Sequence, residues 1–96
     1  MMFDRAKALM ELKKIQSSLA KEIIEVETGD GAVTVRINGE QKIQKITLDP
    51  DKIEIDDLGR LEKWLESAIT QAITRSQQAA ADKMKGISSG LGIPGL

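Results

Sequence analysis

The sequence has no cysteine, no histidine and no tyrosine, and its aromatic side chains are Phe3 and Trp64 alone. Each gap removes something. Without cysteine there is no disulfide to constrain the unfolded chain and no thiolate metal site. Without His, Cys or Tyr, the groups that most readily exchange protons near neutral pH are missing. Ser17, Ser18, Ser67 and Ser76 remain as hydroxyl nucleophiles, but they fall in helical segments with no general base beside them. Two aromatics cannot furnish the successive stacking platforms that single-stranded nucleic acid requires. No apolar run approaches the roughly 20 residues that span a bilayer. Asp4, Arg5 and Lys7 break the N-terminal stretch before any apolar run, so no secretory leader is expected. These absences predict a soluble, cytoplasmic protein that is not an enzyme, with no cofactor, no metal and no small-molecule substrate.

What is present is charge, arranged in blocks. The 96 residues hold 14 basic and 15 acidic side chains, a net charge of −1. Residues 1–21 carry five basic and two acidic groups, whereas 49–66 carry three basic and seven acidic. A fold can turn such blocks into faces. The acidic balance argues against indiscriminate nucleic-acid binding but leaves room for a local basic surface. A chain of this size buries only about 60–65% of the surface its unfolded form exposes. Tight packing or association with a second copy must supply the rest of its stability.

The periodicity predicts an α+β fold of order α-β-β-β-α. From about Phe3 to Ile23 the seam Ala8, Leu12, Ile15 and Leu19 has helical 4-3-4 spacing, widened by Leu9 and Ile23, with Asp4 as N-cap. Ile24, Val26 and Thr28 then alternate with Glu25 and Glu27, as in a strand with one wet face. Gly29-Asp30-Gly31 is a turn, and Val33, Val35 and Ile37 form a second strand. Asn38-Gly39 predicts a two-residue type I′ turn into a third strand from about Gln41 to Leu48. That turn sets Val35 opposite Lys42 and Val33 opposite Gln44, with Ile46 and Leu48 on the valine face and Ile43 on the other. A bulge near the turn would instead bring Ile43 inward and expose Ile46.

Asp49-Pro50 ends the third strand, and Asp56-Asp57 offers an N-cap for a long second helix, Leu58 to about Lys85. Its stripe is Leu58, Leu61, Leu65, Ala68, Ala72 and Ala79, with Trp64, Ile69 and Ile73 beside it. A helix that long outruns a small sheet, so its Ala-, Gln- and Ser-rich far half either packs closely or projects. The two seams, Leu12, Ile15 and Leu19 on one helix and Leu61, Leu65, Ala68 and Ala72 on the other, serve either a private core or a second copy. Residues 1–85 thus read as one domain, and the Gly-rich residues 86–96 as a mobile tail.

Two motifs dissolve on inspection. "DPDKIEIDD" is acidic, but a calcium loop starting at Asp49 needs Gly at its sixth position and Glu at its twelfth, where Glu54 and Arg60 stand. "GDG" lacks the Lys-Ser/Thr ending of a phosphate loop. One constellation persists. Lys7, Lys14 and Lys21 recur every seven residues and form a line on the first helix, with Lys13 adjoining. Arg75, Lys83 and Lys85 on the second helix extend a positive surface, as do Arg36, Lys42 and Lys45 on the hairpin. Lys83 and Lys85 have a second explanation, since cations favour a helix C-terminus. No recognition-helix pattern accompanies these residues, so they point to phosphate contact on duplex with little base readout. An adaptor that docks protein partners through its charge blocks is the alternative.

The order of elements, with "VTVRING", "ITLDP", "LEKWLESAITQAI" and the ending "MKGISSGLGIPGL", resembles the YbaB/EbfC family of bacterial nucleoid-associated proteins. The resemblance covers nearly the whole chain. It implies a tweezer-like homodimer that binds duplex DNA in the nucleoid and acts in nucleoid organisation or gene regulation. The second helix departs from the Asn-Asp-Ala-like element frequent in that family, reading "TQAITRSQQA".

Overall fold

The computed structural model describes the backbone of residues 2–91 and the side chains of residues 5–86. Helix α1 (Met2–Lys21) is followed by strands β1 (Ile23–Thr28), β2 (Val33–Asn38) and β3 (Ile43–Leu48), then two short 3-10 turns and helix α2 (Leu58–Leu91). The strands form an antiparallel sheet in the order β1-β2-β3. This is the predicted α-β-β-β-α order.

Alternation along the strands decides the core. Val26, Val33, Val35 and Ile37 point to one face and are buried, while Glu25, Glu27 and Arg36 on the other face are exposed. Ala68 and Ala72 of α2 lie fully buried against the valine face, flanked by Leu61, Trp64, Leu65 and Ile69. Alanine at the contact lets the helix approach closely. At Gly29, where φ is +64°, an added Cβ would stand 2.6 Å from the Trp64 indole. The β1–β2 turn thus needs glycine both for its left-handed backbone and to seat the ring. Thr28 Oγ1 donates to Trp64 O (2.8 Å) and locks the same corner.

The β2–β3 connection departs from the expected two-residue turn. Neither Asn38 nor Gly39 has positive φ; the left-handed residue is Gln41, at +64°. Asn38 and Lys42 close a three-residue loop: Asn38 N–H donates to Lys42 O (3.0 Å), and Asn38 Oδ1 accepts from Glu40 N–H (2.9 Å) and Lys42 N–H (3.0 Å). Ile37 then pairs with Ile43, and beyond a bulge that leaves Gln44 over, Arg36 pairs with Lys45, Val35 with Ile46 and Val33 with Leu48. Loop and bulge together put Ile43, Ile46 and Leu48 all on the valine face, correcting the expectation that Ile43 and Ile46 would lie on opposite faces.

Three boundaries also move. Helix α1 starts at Met2, so position 4 lies within its first turn and not at the residue before it, as the N-cap expectation required. It stops at Lys21 because the hairpin tip takes its last carbonyls: Gly39 N–H donates to Leu19 O (2.8 Å) and Glu22 O (3.1 Å), and Asn38 Nδ2 to Ala20 O (3.3 Å). Ile23 accordingly belongs to β1 and not to the α1 seam. Asp57 caps α2 as expected, accepting from Arg60 N–H (3.2 Å), and α2 continues past Lys85 to Leu91. The remainder of the expected tail, residues 92–96, lies outside the described residues.

The far half of α2 packs at its start, at Ser76, while among the described residues those from Gln77 to Gly86 are exposed or half-exposed. Ser76 is fully buried under the hairpin tip; its Oγ donates to Asn38 O (2.7 Å) and accepts from Gln41 N–H (3.0 Å). Helix α2 makes its main contacts with β1 and β2 and leaves β3 outside its cover. Ile43, Ile46 and Leu48 therefore stay 42–43% exposed despite facing the core side.

Candidate nucleic-acid interface

Helix α1 carries the lysine row. Lys7, Lys13, Lys14 and Lys21 are all exposed. Successive members of the Lys7-Lys14-Lys21 line stand about 10.5 Å apart along the axis. Lys14 lies 3.9 Å from Glu11, a long and solvent-exposed pair that holds its ammonium only weakly. Among the described residues, every hydrogen bond and ion pair tying this segment to other elements falls between Ser18 and Glu22. Leu19 is buried there, whereas Leu12 and Ile15 are half-buried and Leu9 and Met10 exposed. The row therefore sits on an arm held firmly at its C-terminal end.

The basic residues of α2 part company. Arg75 and Lys83 line a cleft of about 470 Å³ between the end of α1 and α2, together with Asp82 of α2 and with Glu22 from the α1 side. Lys83 Nζ lies 3.4 Å from Glu22 Oε2 and donates to Ser18 Oγ. Lys85 is exposed. Since α2 runs on to Leu91 and has no basic residue in its last turn, stabilisation of the helix C-terminus explains neither Lys83 nor Lys85.

The hairpin adds a third group. Arg36 on β2 and Lys45 on β3 are register partners on the face away from α2, with Glu25 opposite Arg36 on β1. Like charges directly opposite one another cost free energy, and Glu25 offsets only the Arg36 side. This pairing was not readable from sequence, because it depends on the bulge that sets the β3 register.

The α2 seam lies in the core, whereas Leu12 and Ile15 of the α1 seam are only half-buried. Ala68 and Ala72 are buried, and Leu61 and Leu65 pack beside them within the protomer. Unsatisfied apolar surface lies elsewhere, on Ile43, Ile46 and Leu48 of β3, on Ile55, 84% exposed, and on Leu58. Leu48, Pro50, Ile53, Ile55 and Leu61 line a groove of about 400 Å³ that continues the β3 row. The acidic segment between them serves its own turns: Asp49 Oδ1 accepts from Asp51 N–H (3.0 Å), and Lys52 Nζ donates to Asp30 O (2.7 Å). Among the described residues no three acidic side chains converge as metal ligands, and no helix is long and apolar enough to cross a membrane.

Comparison with known proteins agrees with this architecture. The model of the YbaB/EbfC DNA-binding family matches residues 1–91. A nucleoid-associated protein of Chloroflexus aurantiacus is 37% identical over 81 residues, covering 84% of this chain and 81% of the relative. One from Clostridium novyi is 32% identical over 90 residues, covering 94% and 79%. The crystal structure of an uncharacterised Helicobacter pylori protein superposes with a TM-score of 0.65 at 19% identity, covering 95% of this chain and 99% of that one, a likeness of fold.

Proposed function

The chain belongs to the YbaB/EbfC DNA-binding family, and from that premise we propose that it is a nucleoid-associated protein that grips duplex DNA as a homodimer through phosphate contacts. The observation that carries the reading is the exposed lysine row of α1. Lys7, Lys13, Lys14 and Lys21 stand on an arm anchored at one end, where they can follow a phosphate backbone, and Arg75 and Lys85 of α2 add to them. The exposed acids between Asp51 and Asp57 repel the same phosphates, so the DNA lies on the α1 side. With one tryptophan and no tyrosine, base stacking contributes little, and the contacts are largely sequence-independent. A role in nucleoid organisation or gene regulation, in the cytoplasm, follows from that mode of binding.

The apolar row of β3 supports the dimer. It lies on the free edge of the sheet, joins the Leu48–Leu61 groove, and is left 42–43% exposed by the described residues. A second copy seated there removes apolar surface from water and closes an edge that otherwise invites aggregation. Two copies so joined carry two α1 arms, the geometry of tweezers.

The test is duplex affinity measured against salt. A dimer making roughly 4–8 phosphate contacts gives a log–log slope of about −4 to −7. A flat response would refute the mechanism. The exposed apolar row also favours a second reading, a dimeric adaptor for protein partners. Replacing Lys7, Lys14 and Lys21 by Glu separates the two: loss of duplex binding with the dimer intact supports the DNA reading, and unchanged binding supports the adaptor.

A further inference from the structure

We infer that Lys83 is a positioning residue that latches α2 to the base of the α1 arm and sets the direction in which the α1 lysines point, in place of touching phosphate itself. The inference rests on the DNA-binding reading for its functional consequence and on protomer geometry alone for the latch. Lys83 reaches across 65 residues of sequence to Ser18 Oγ, and its ammonium lies 3.4 Å from Glu22 Oε2. Ser18 and Glu22 are four residues apart, so both face the same side at the end of α1, and one ammonium bridges them. Its side chain is 31% exposed, against 70% for Lys14.

The Glu22 side makes the arrangement purposeful. Among the described residues Glu22 Oε2 makes no directed hydrogen bond, so Lys83 is its counter-charge, and the Glu22 side chain as a whole is 38% exposed. A half-exposed pair of this kind adds little to overall stability; what it does is hold the two side chains, and the elements that carry them, in register. Stabilisation of a helix C-terminus does not account for Lys83, because α2 has no basic residue in its last turn.

The latch matters because α1 is a lever. Its polar ties to the rest of the protomer gather between Ser18 and Glu22, among the described residues, while the lysine row runs outward from there. Lys7 lies about 21 Å along the axis from Lys21, so a tilt of ~10° at the base moves it by about 4 Å. That is enough to make or break a phosphate contact. The hairpin tip fixes the backbone at the fulcrum, and Lys83 fixes the rotation about it from the α2 side.

Two measurements on the full chain test this. The sequence has no cysteine, so Ala6→Cys on α1 with Thr74→Cys on α2 gives unique spin-label sites. Labelled protein diluted with unlabelled protein reports only the distance within a protomer, without DNA. Lys83→Met is expected to shift or broaden that distance and to weaken duplex affinity by up to about fivefold. The log–log salt slope stays unchanged, because no phosphate contact is lost. Exchanging the charges, Glu22→Lys with Lys83→Glu, restores both distance and affinity. An unaltered distance in Lys83→Met overturns the latch. A salt slope shallower by about 0.9 per lost contact shows instead that Lys83 touches phosphate. If the unaltered chain binds no duplex, the DNA reading fails, while the distance measurement still decides the latch.

Discussion

Gly39 shows how one residue can be noticed in a sequence for the wrong reason. Asn-Gly is a hairpin signal because both residues tolerate positive φ. Here that conformation belongs to Gln41, and Gly39 is needed for room. A Cβ at Gly39 would stand 2.7 Å from Leu19 Cδ2, 2.9 Å from Leu19 O and 3.1 Å from Leu19 Cα. Backbone atoms of α1 cannot retreat without breaking the Gly39 N–H bonds to Leu19 and Glu22. Gly39→Ala is therefore expected to destabilise the fold by about 1–3 kcal/mol, the usual cost of overpacking. Gly59, in the first turn of α2, is the control. The nearest atom to its added Cβ is Asp57 Oδ1 at 3.9 Å, and Gly59→Ala should stabilise by ~0.5–1 kcal/mol. Urea midpoints at one fixed protein concentration check both, since association makes stability depend on concentration.

At the scale of elements, legibility follows the range of the forces involved. Two helices and three strands were readable because each carries an apolar face, and that face imprints its period on the local sequence, even in β3, where it stays exposed. Leu61, Leu65, Ala68 and Ala72 were readable as one apolar stripe of α2 by that logic, though not which surface the stripe covers; Ala68 and Ala72 lie in the core against the sheet, with Leu61 and Leu65 packed beside them. The lysine line of α1 was readable for the same reason, as spacing of seven fixes a helical face. What escaped depends on partners far apart in sequence. The β3 register hangs on a left-handed Gln41 and an unpaired Gln44, neither of which advertises itself by residue type. Ser76 belonged to a far half that could either pack closely or project, and it sits buried between Asn38 and Gln41 and joins α2 to the hairpin tip. Ser76→Ala leaves the Asn38 carbonyl and the Gln41 amide with a poorer set of partners at a dry site. A loss of about 1–3 kcal/mol is expected, read as a lower urea midpoint with the slope of the transition preserved.

At the scale of the molecule, charge and apolar surface divide the labour. The private core comprises small strand side chains under two alanines, which is little interior for 96 residues. The larger apolar side chains of β3 and the turn after it remain at the surface. On the proposed homodimer reading, a second copy covering them would complete the interior and double the number of lysine arms. In such a dimer association and DNA grip would be coupled: each arm alone would hold few phosphates, and joining two would make the second contact set effectively intramolecular. Placing charge in the seam tests that coupling without touching a basic residue. Ile46→Lys with Leu48→Lys should halve the mass measured by light scattering at micromolar concentration. Added positive charge alone would strengthen duplex binding, so weaker binding in this variant must come from the lost partner. The salt slope should fall to about half that of the unaltered protein, because each binding unit now neutralises half as many phosphates. A monomer that keeps both affinity and slope would separate the dimer from the grip and return the apolar row to other partners.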